Sequence, residues 1–121
     1  MERNMSDICE EYFGNRDTYF DIVGEMTNEV CDHGNSTDYA IELMKIRLSN
    51  EPDNPVYLQY MIFNAALKGD QKLASETYKH FIELHGEFNL KRYVPAGIKN
   101  LKEWLLNDRQ ISEEISGNNV K

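Results

Sequence analysis

The sequence predicts an all-α fold, and three observations lead to that class. Apolar residues recur at three- and four-residue steps along most of the chain, the spacing that places side chains on one face of an α-helix. No stretch alternates apolar and polar residues with the period of two that a half-buried strand requires. Residues typical of turns and helix caps separate the periodic stretches, as expected for helices joined by short loops.

Capping residues and prolines place the ends of these helices. Asn54 is a preferred N-cap and Pro55 suits the first helical position, so a helix begins there. Gly69 accepts the left-handed conformation that ends a helix, and Asp70 caps the helix that follows. Five main helices are predicted, together with a short one near the N-terminus. Their bounds are 17–33, 38–50, 55–68, 71–85 and 96–107, with 5–13 for the short helix.

Length and helix pattern divide the chain into three parts. A chain of 121 residues fits one compact domain. We expect a helical domain at 17–107, an acidic segment at 1–16 and a flexible polar tail at 108–121. No apolar run approaches the roughly 20 residues of a membrane-spanning helix, and the first residues lack the pattern of a secretory signal. A cytoplasmic location without membrane association is therefore expected.

Negative charge is concentrated in the first third of the chain. The formal net charge is -8, and residues 1–40 account for all of it with ten acidic and two basic residues. Nucleic-acid affinity normally depends on Lys and Arg that neutralise phosphates, so direct DNA or RNA binding is not expected. A small basic cluster later in the chain is the one place where a nucleic acid could make contact, but four cations attract phosphate only weakly, so we expect the cluster to balance the acidic third or to pair with it in a dimer. The cluster comprises Lys91, Arg92, Lys99 and Lys102.

Few residues are arranged as catalytic or metal-binding groups. Glu76, His80 and Glu83 share one helix face, but metal sites in helix bundles take ligands from several helices. We interpret this row as a solvated surface. No cofactor, no metal site and no enzymatic activity are predicted. Cys31 is expected in the core, because it falls in an apolar stripe with Phe20, Val23, Met26 and Val30. Cys9 and Cys31 are both expected to be reduced, since two cysteines form no disulfide framework and the expected location is the cytoplasm.

Two segments of the chain repeat with a spacing of 34 residues. Ala40 corresponds to Ala74 and Met44 to Tyr78, and both segments follow a turn and a capping residue. This pattern resembles the tetratricopeptide repeat, a helix–turn–helix unit of that length in which a small residue lets two backbones approach closely. The resemblance implies a right-handed stack of antiparallel helix hairpins, with about two repeats and the helix at 96–107 as a cap.

A narrower resemblance covers residues 17–107. Its landmarks are Ala40-Ile41-Glu42-Leu43, Asn50-Glu51-Pro52, Leu58 to Leu67, Gly69-Asp70, Ala74-x-x-x-Tyr78-x-x-Phe81 and Val94-Pro95. Their order is similar to that of the bacterial transcriptional activator domain, a tetratricopeptide-like module of bacterial regulators. The resemblance implies a non-enzymatic protein–protein interaction module that serves as the regulatory domain of a transcriptional regulator. A free-standing tetratricopeptide-like adaptor or chaperone is the alternative.

In a repeat of this kind the first helix of each unit lines a concave face. The positions in the 34-residue register are acidic in the first unit and largely apolar in the second. They are Ile22, Glu25, Glu29, Asp32, Val56, Gln59, Phe63 and Leu67. We expect a protein or peptide partner there, a basic amphipathic segment with cations near Glu25 and Glu29 and apolar side chains near Phe63. Homodimerisation remains open.

Overall fold

The chain folds into packed α-helices. A computed structural model describes residues 3–90 and 100–106. Their helices are α1 (Met5–Phe13), α2 (Asp17–Asp32), α3 (Thr37–Asn50), α4 (Pro55–Lys68), α5 (Gln71–His85) and α6 (Leu101–Leu106). This part of the chain contains no β-strand, so the all-α prediction is confirmed. The first five helices begin and end within one residue of their predicted bounds. The last helix was predicted from residue 96, but Asn100 is not helical and α6 begins at Leu101. Residues 91–99 and the predicted tail lie outside the described residues.

Capping side chains fix the helix ends as predicted. Asn54 Oδ1 accepts hydrogen bonds from two backbone N–H groups in the first turn of α4, the nearer at 3.0 Å. Gly69 ends that helix with φ 82°, a left-handed conformation that glycine adopts without strain. Asp70 Oδ1 then accepts a hydrogen bond from the Leu73 N–H at 3.1 Å and begins α5. These contacts satisfy backbone groups that have no partner within the helix.

Helix α4 lies at the centre of the fold. It packs along α3 and α5 and also contacts α1 and α2. Five consecutive residues at its start, 55–59, are buried, as are four residues on its later turns. A helix that is covered on most sides is apolar around most of its circumference, and the sequence of α4 has that character. The core is therefore built around this helix.

Consecutive helices α3, α4 and α5 run antiparallel. Lys68 at the end of α4 forms a 2.6 Å ion pair with Asp38 at the start of α3. At the opposite end of α4, the His85 ring at the end of α5 lies 2.7 Å from the Asp53 carbonyl oxygen. Short turns between these helices allow no other arrangement of close neighbours. Helix α6 packs against α5.

The N-terminal segment belongs to the same core. Ile8 and Cys9 of α1 are buried, and α1 packs on α2 and α4. Ahead of α1, the Arg3 N–H donates to the Glu87 carbonyl at 3.1 Å, and the Asn89 N–H donates to the Arg3 carbonyl at 2.9 Å. This backbone pairing ties the start of the described chain to the segment that follows α5.

Helix α2 is less deeply embedded than α4. Met26 is its one fully buried residue. Phe20 and Cys31 were predicted in the core, but Cys31 is exposed and Phe20 keeps 64% of its surface open to solvent. Both predictions are wrong because the two residues lie about 120° and 140° around the helix from Met26, at about 100° per residue. Only the side of α2 centred on Met26 is covered.

The first helix of each predicted repeat lies beside its counterpart. Thr27 Oγ1 of α2 and the Tyr60 hydroxyl of α4 are 3.2 Å apart and 33 positions apart in the chain, close to the 34-residue spacing. Ala40 and Ala74 are completely buried. Contacts across the α2–α3 turn are made by polar side chains rather than by close backbone packing. The tetratricopeptide-like stack itself stays a prediction.

Candidate functional site

A cluster of charged and aromatic side chains joins α2 to α3 and α4. We call it the Arg47 cluster, and it comprises Glu25, Glu29, Tyr39, Arg47 and Tyr57. Arg47 Nη2 lies 3.2 Å from a carboxylate oxygen of Glu25 and 3.2 Å from one of Glu29. Its other terminal nitrogen donates to the Tyr57 hydroxyl at 3.5 Å, and the guanidinium carbon lies 5.8 Å from the centre of that ring. One arginine of α3 thus contacts both neighbouring helices.

Glu29 is the most contacted carboxylate of this cluster. The Tyr39 hydroxyl donates to its second oxygen at 3.1 Å, so both oxygens have partners. Tyr39 in turn stacks on the His33 ring at 3.8 Å and 7° between planes, and the Nδ1 atom of His33 lies 2.9 Å from the Glu29 carbonyl. These contacts order the turn between α2 and α3.

Local contacts maintain the charges of the Arg47 cluster. The hydrogen bond to Tyr57, followed by the contact with Glu25, raises the pKa of Arg47, so the guanidinium remains a cation. Partial desolvation, followed by the hydrogen bond to Glu29, raises the pKa of Tyr39, so its hydroxyl keeps the proton that it donates. The cluster is therefore a partly exposed ion pair with aromatic neighbours.

The predicted concave face is only partly present. Glu25 and Glu29 lie together, but Arg47 already contacts both. Val56 and Gln59 are buried, which contradicts their predicted place on an open face. The reason is that α4 is enclosed by four other helices, whereas an outer helix of a short stack would keep one side free. The remaining four positions are spread over different surroundings: Ile22 and Phe63 are half-buried, and Asp32 and Leu67 are exposed.

Arg47, Tyr39 and Tyr57 are site residues that the sequence analysis missed. One signal was available, because Lys45 and Arg47 are the only basic residues between Arg16 and Lys68. These two cations follow a helix that contains several carboxylates. Their position predicts that at least one of them forms an ion pair with that helix.

The outward side of α2 carries an acidic and apolar surface. We call it the α2 outer face, and it comprises Asp17, Phe20, Asp21 and Asp32, all exposed. The three carboxylates lie within about 60° of one another around the helix at about 100° per residue. No Lys or Arg of the described chain lies within ion-pair distance of them. Phe20 lies beside this stripe and contacts the Tyr19 ring edge-on at 5.3 Å.

A cleft of about 340 Å³ separates the start of the chain from the end of α5. Its lining consists of Arg3, Ile8, Glu11, Tyr12, Leu84 and His85. Arg3 forms an ion pair with Glu11 and donates to the His85 carbonyl at 3.4 Å, so the charges of the lining already have partners. Partial burial and the nearby carboxylates of Glu51 and Asp53 raise the pKa of Tyr12, so its phenol stays neutral.

Within residues 3–90 and 100–106, no three His, Cys, Asp or Glu side chains are grouped as a metal ion requires. Glu76, His80 and Glu83 are exposed on α5, as expected for a solvated surface. Of the predicted basic cluster, Lys102 lies in the described chain and its Nζ is 3.4 Å from a Glu87 carboxylate oxygen. The other three members lie outside the described residues.

The two thiols are expected to differ sharply in reactivity. The thiolate is the reactive form, and burial raises the pKa of Cys9 from 9.0 to about 12, whereas Cys31 is exposed. With a thiol reagent at neutral pH, native protein should modify Cys31 rapidly and Cys9 only on unfolding. Because the unfolded chain loses the Cys9 proton at lower pH, the free energy of unfolding should also fall as pH rises from about 9 to 12. A Cys31→Ser control should lack the rapid phase, and two rapid phases in the wild type would contradict the buried position of Cys9.

No protein-family model, curated protein or solved structure matches the chain. The described helices include none with the length and apolar content to cross a bilayer. What the molecule itself offers is an all-α core with an acidic, partly apolar outer helix.

Proposed function

We propose that the chain is a non-enzymatic helical module that binds another protein through the α2 outer face. The setting that we propose is the regulatory domain of a bacterial transcriptional regulator in the cytoplasm. The observation that carries the proposal is an exposed Phe20 beside carboxylates that have no cation partner in the described chain. A protein segment with Lys or Arg beside apolar side chains complements that surface.

Two features of the fold support a tetratricopeptide-like module. Helices α2 and α4 lie side by side with Thr27 opposite Tyr60, an offset close to the predicted repeat length. The small residues Ala40 and Ala74 are completely buried at equivalent positions of the two units. The resemblance to bacterial transcriptional activator domains adds the proposed regulatory role to this architecture.

The charge distribution supports a basic protein segment as the partner. Asp17, Asp21 and Asp32 repel phosphate, so nucleic acid is a poor ligand for this face. Glu25 and Glu29 attract a basic partner less than their charge alone implies, because Arg47 already pairs with both carboxylates. The partner-binding residues that we propose therefore lie on the outward side of α2 rather than between α2 and α4.

A synthetic peptide tests this assignment. A labelled amphipathic peptide of about 14 residues, with Lys on one side of its helix and Leu on the other, is titrated with the full chain. Binding is followed by the fluorescence anisotropy of the peptide. The wild type should bind, and the double variant Asp17→Lys/Asp21→Lys should weaken binding about tenfold or more, since both attractive charges become repulsive. Phe20→Ser should weaken binding by removing the apolar contact. Added salt should weaken binding of the wild type, since exposed charges are screened.

Matched changes on α3 provide the controls. Ile46 on α3 is 62% exposed, close to the 64% of Phe20. Glu42 is an exposed carboxylate on α3. Ile46→Ser and Glu42→Lys should leave peptide affinity unchanged. Equal affinity of the α2 and α3 variants, or equal binding of a peptide with Glu in place of Lys, would reject the α2 outer face as the binding surface.

The two proposed settings, a transcriptional regulator and a free-standing adaptor or chaperone, differ in the domains and partner proteins found with this module. A winged-helix DNA-binding segment encoded in the same protein supports the transcriptional regulator. Co-purification from the native host with a protein unrelated to transcription supports the free-standing adaptor or chaperone. The proposed contact chemistry is the same in both cases, so the peptide experiment tests the surface and the co-purification tests the setting.

A further inference from the structure

The side-chain hydrogen bonds and ion pairs that join α2 to α3 are polar, while the apolar contact of α2 with the core consists of the buried Met26 and partly buried side chains such as Ile22 and Val23. Arg47 contacts Glu25 and Glu29, and the Tyr39 hydroxyl donates to Glu29. The contact between α2 and α4 includes the hydroxyls of Thr27 and Tyr60, as described above. One side chain of α2 is fully buried, compared with nine on α4. Removal of α2 from its place would therefore expose fewer buried side chains than removal of α3, α4 or α5, each of which contains at least four.

The turns at both ends of α2 contain residues with left-handed backbone. Gly14 ends α1 with φ 79°, and Gly34 and Asn35 follow α2 with φ 73° and 57°. These residues interrupt the helical hydrogen bonds, so α2 is a helix of its own, joined to α1 by packing and by the ion pairs of Arg16 with Asp7 and Glu10. An element that is bounded by turns and has one fully buried side chain fits the description of a local opening unit.

We propose that α2 opens from the α3–α5 group as a separate unit and that Arg47 controls this opening. In the closed form, the guanidinium holds two carboxylates of α2 against α3. In the open form, the Tyr60 hydroxyl on α4 loses its contact with Thr27 of α2, and the part of the central helix beside α2 becomes accessible. Arg47 is thus an autoinhibitory contact that keeps the face of α4 covered.

Opening of α2 can be regulated by the basic partner proposed above, and this step rests on the proposed function. A basic segment bound to the α2 outer face brings its cations close to Glu25, which is exposed and lies about 20° around α2 from Asp32, so they compete with Arg47 for that carboxylate. Binding of such a segment therefore weakens the hold of α3 on α2 and shifts the equilibrium toward the open form by the difference in its affinity for the two forms.

Hydrogen–deuterium exchange with mass spectrometry tests the opening without any partner. The full-chain variant Arg47→Met keeps an unbranched side chain but removes the cation. Exchange of the backbone amides of residues 17–32 should accelerate about tenfold, because contacts to a charged group hold them closed, while amides of α4 and α5 keep their wild-type rates. The control Lys68→Met removes the ion pair between Lys68 and Asp38, which joins α3 to α4, and should leave exchange in α2 unchanged.

The wild type in high salt provides a second measurement that needs no substitution. At about 1 M salt the screening length is about 3 Å, so the contacts of Arg47 weaken and exchange in α2 should accelerate more than exchange in α4 and α5. Unchanged exchange in α2, or equal acceleration in all helices, overturns the proposal in either measurement. If Arg47→Met does not fold, the salt series decides. Failure of the Lys–Leu peptide to bind, with acceleration confined to α2 in these measurements, would reject the proposed function and leave the opening intact.

Discussion

Replacement of Phe81 by alanine is expected to lower the free energy of unfolding by about 3–5 kcal/mol. Phe81 is completely buried on α5, and its ring centre lies 4.4 Å from that of Phe88 and 5.1 Å from that of His85. Truncation removes this apolar contact and leaves a cavity that the neighbouring helices fill only in part. Urea unfolding followed by far-UV circular dichroism measures the loss.

An effect of this size is a large share of the stability of a domain, which is typically about 5–15 kcal/mol in total. The matched control is Leu84→Ala, three residues further along the same helix, where the side chain is 40% exposed. The control should cost less than about 1 kcal/mol because solvent already contacts much of this side chain. Similar losses for the two variants would contradict the packing of α5 against the core.

Replacement of Ala74 by leucine is expected to destabilise the protein by about 1–3 kcal/mol. Ala74 is completely buried in the first turns of α5, the helix that packs along α4. Three additional carbons at this point force the two helices apart or push neighbouring side chains out of their preferred rotamers. The midpoint of urea unfolding should fall with an unchanged dependence on urea concentration, because the surface exposed on unfolding is nearly the same.

Glu76→Leu is the control for added bulk on the same helix. Glu76 is exposed two positions after Ala74, so its replacement should change the free energy of unfolding by no more than about 0.5 kcal/mol. Equal tolerance of leucine at both positions would show that the small residue is not required between α4 and α5. It would also remove one support for the tetratricopeptide-like interpretation, in which that alanine allows the close approach.

The helix ends were predictable because they depend on local chemistry. Asn54, Gly69 and Asp70 act on backbone groups within one turn of themselves, and the structure shows each of them in the predicted role. The buried face of a helix depends instead on which other helices cover it. Phe20 and Cys31 fit the three- and four-residue spacing of α2, but the helices that pack on α2 cover the neighbouring face.

The candidate site was less predictable for the same reason. The sequence indicated the acidic character of α2 and the position of Glu25 and Glu29. It did not indicate that α4 is enclosed, so Val56 and Gln59 were placed on an open surface. Nor did it bring Arg47 across to α2, because that contact joins residues 18 and 22 positions apart and depends on the angle between two helices.

The backbone pairing of Arg3 with Glu87 and Asn89 has a consequence for the order of folding. Arg3 and His85, which also share a hydrogen bond, are separated by 82 positions, whereas α3, α4 and α5 are joined by short turns. Closing a long loop costs more chain entropy than forming neighbouring hairpins, so the central helices are expected to associate before the two distant segments meet. During synthesis on the ribosome, the first residues therefore wait for α5 to emerge before the domain can close.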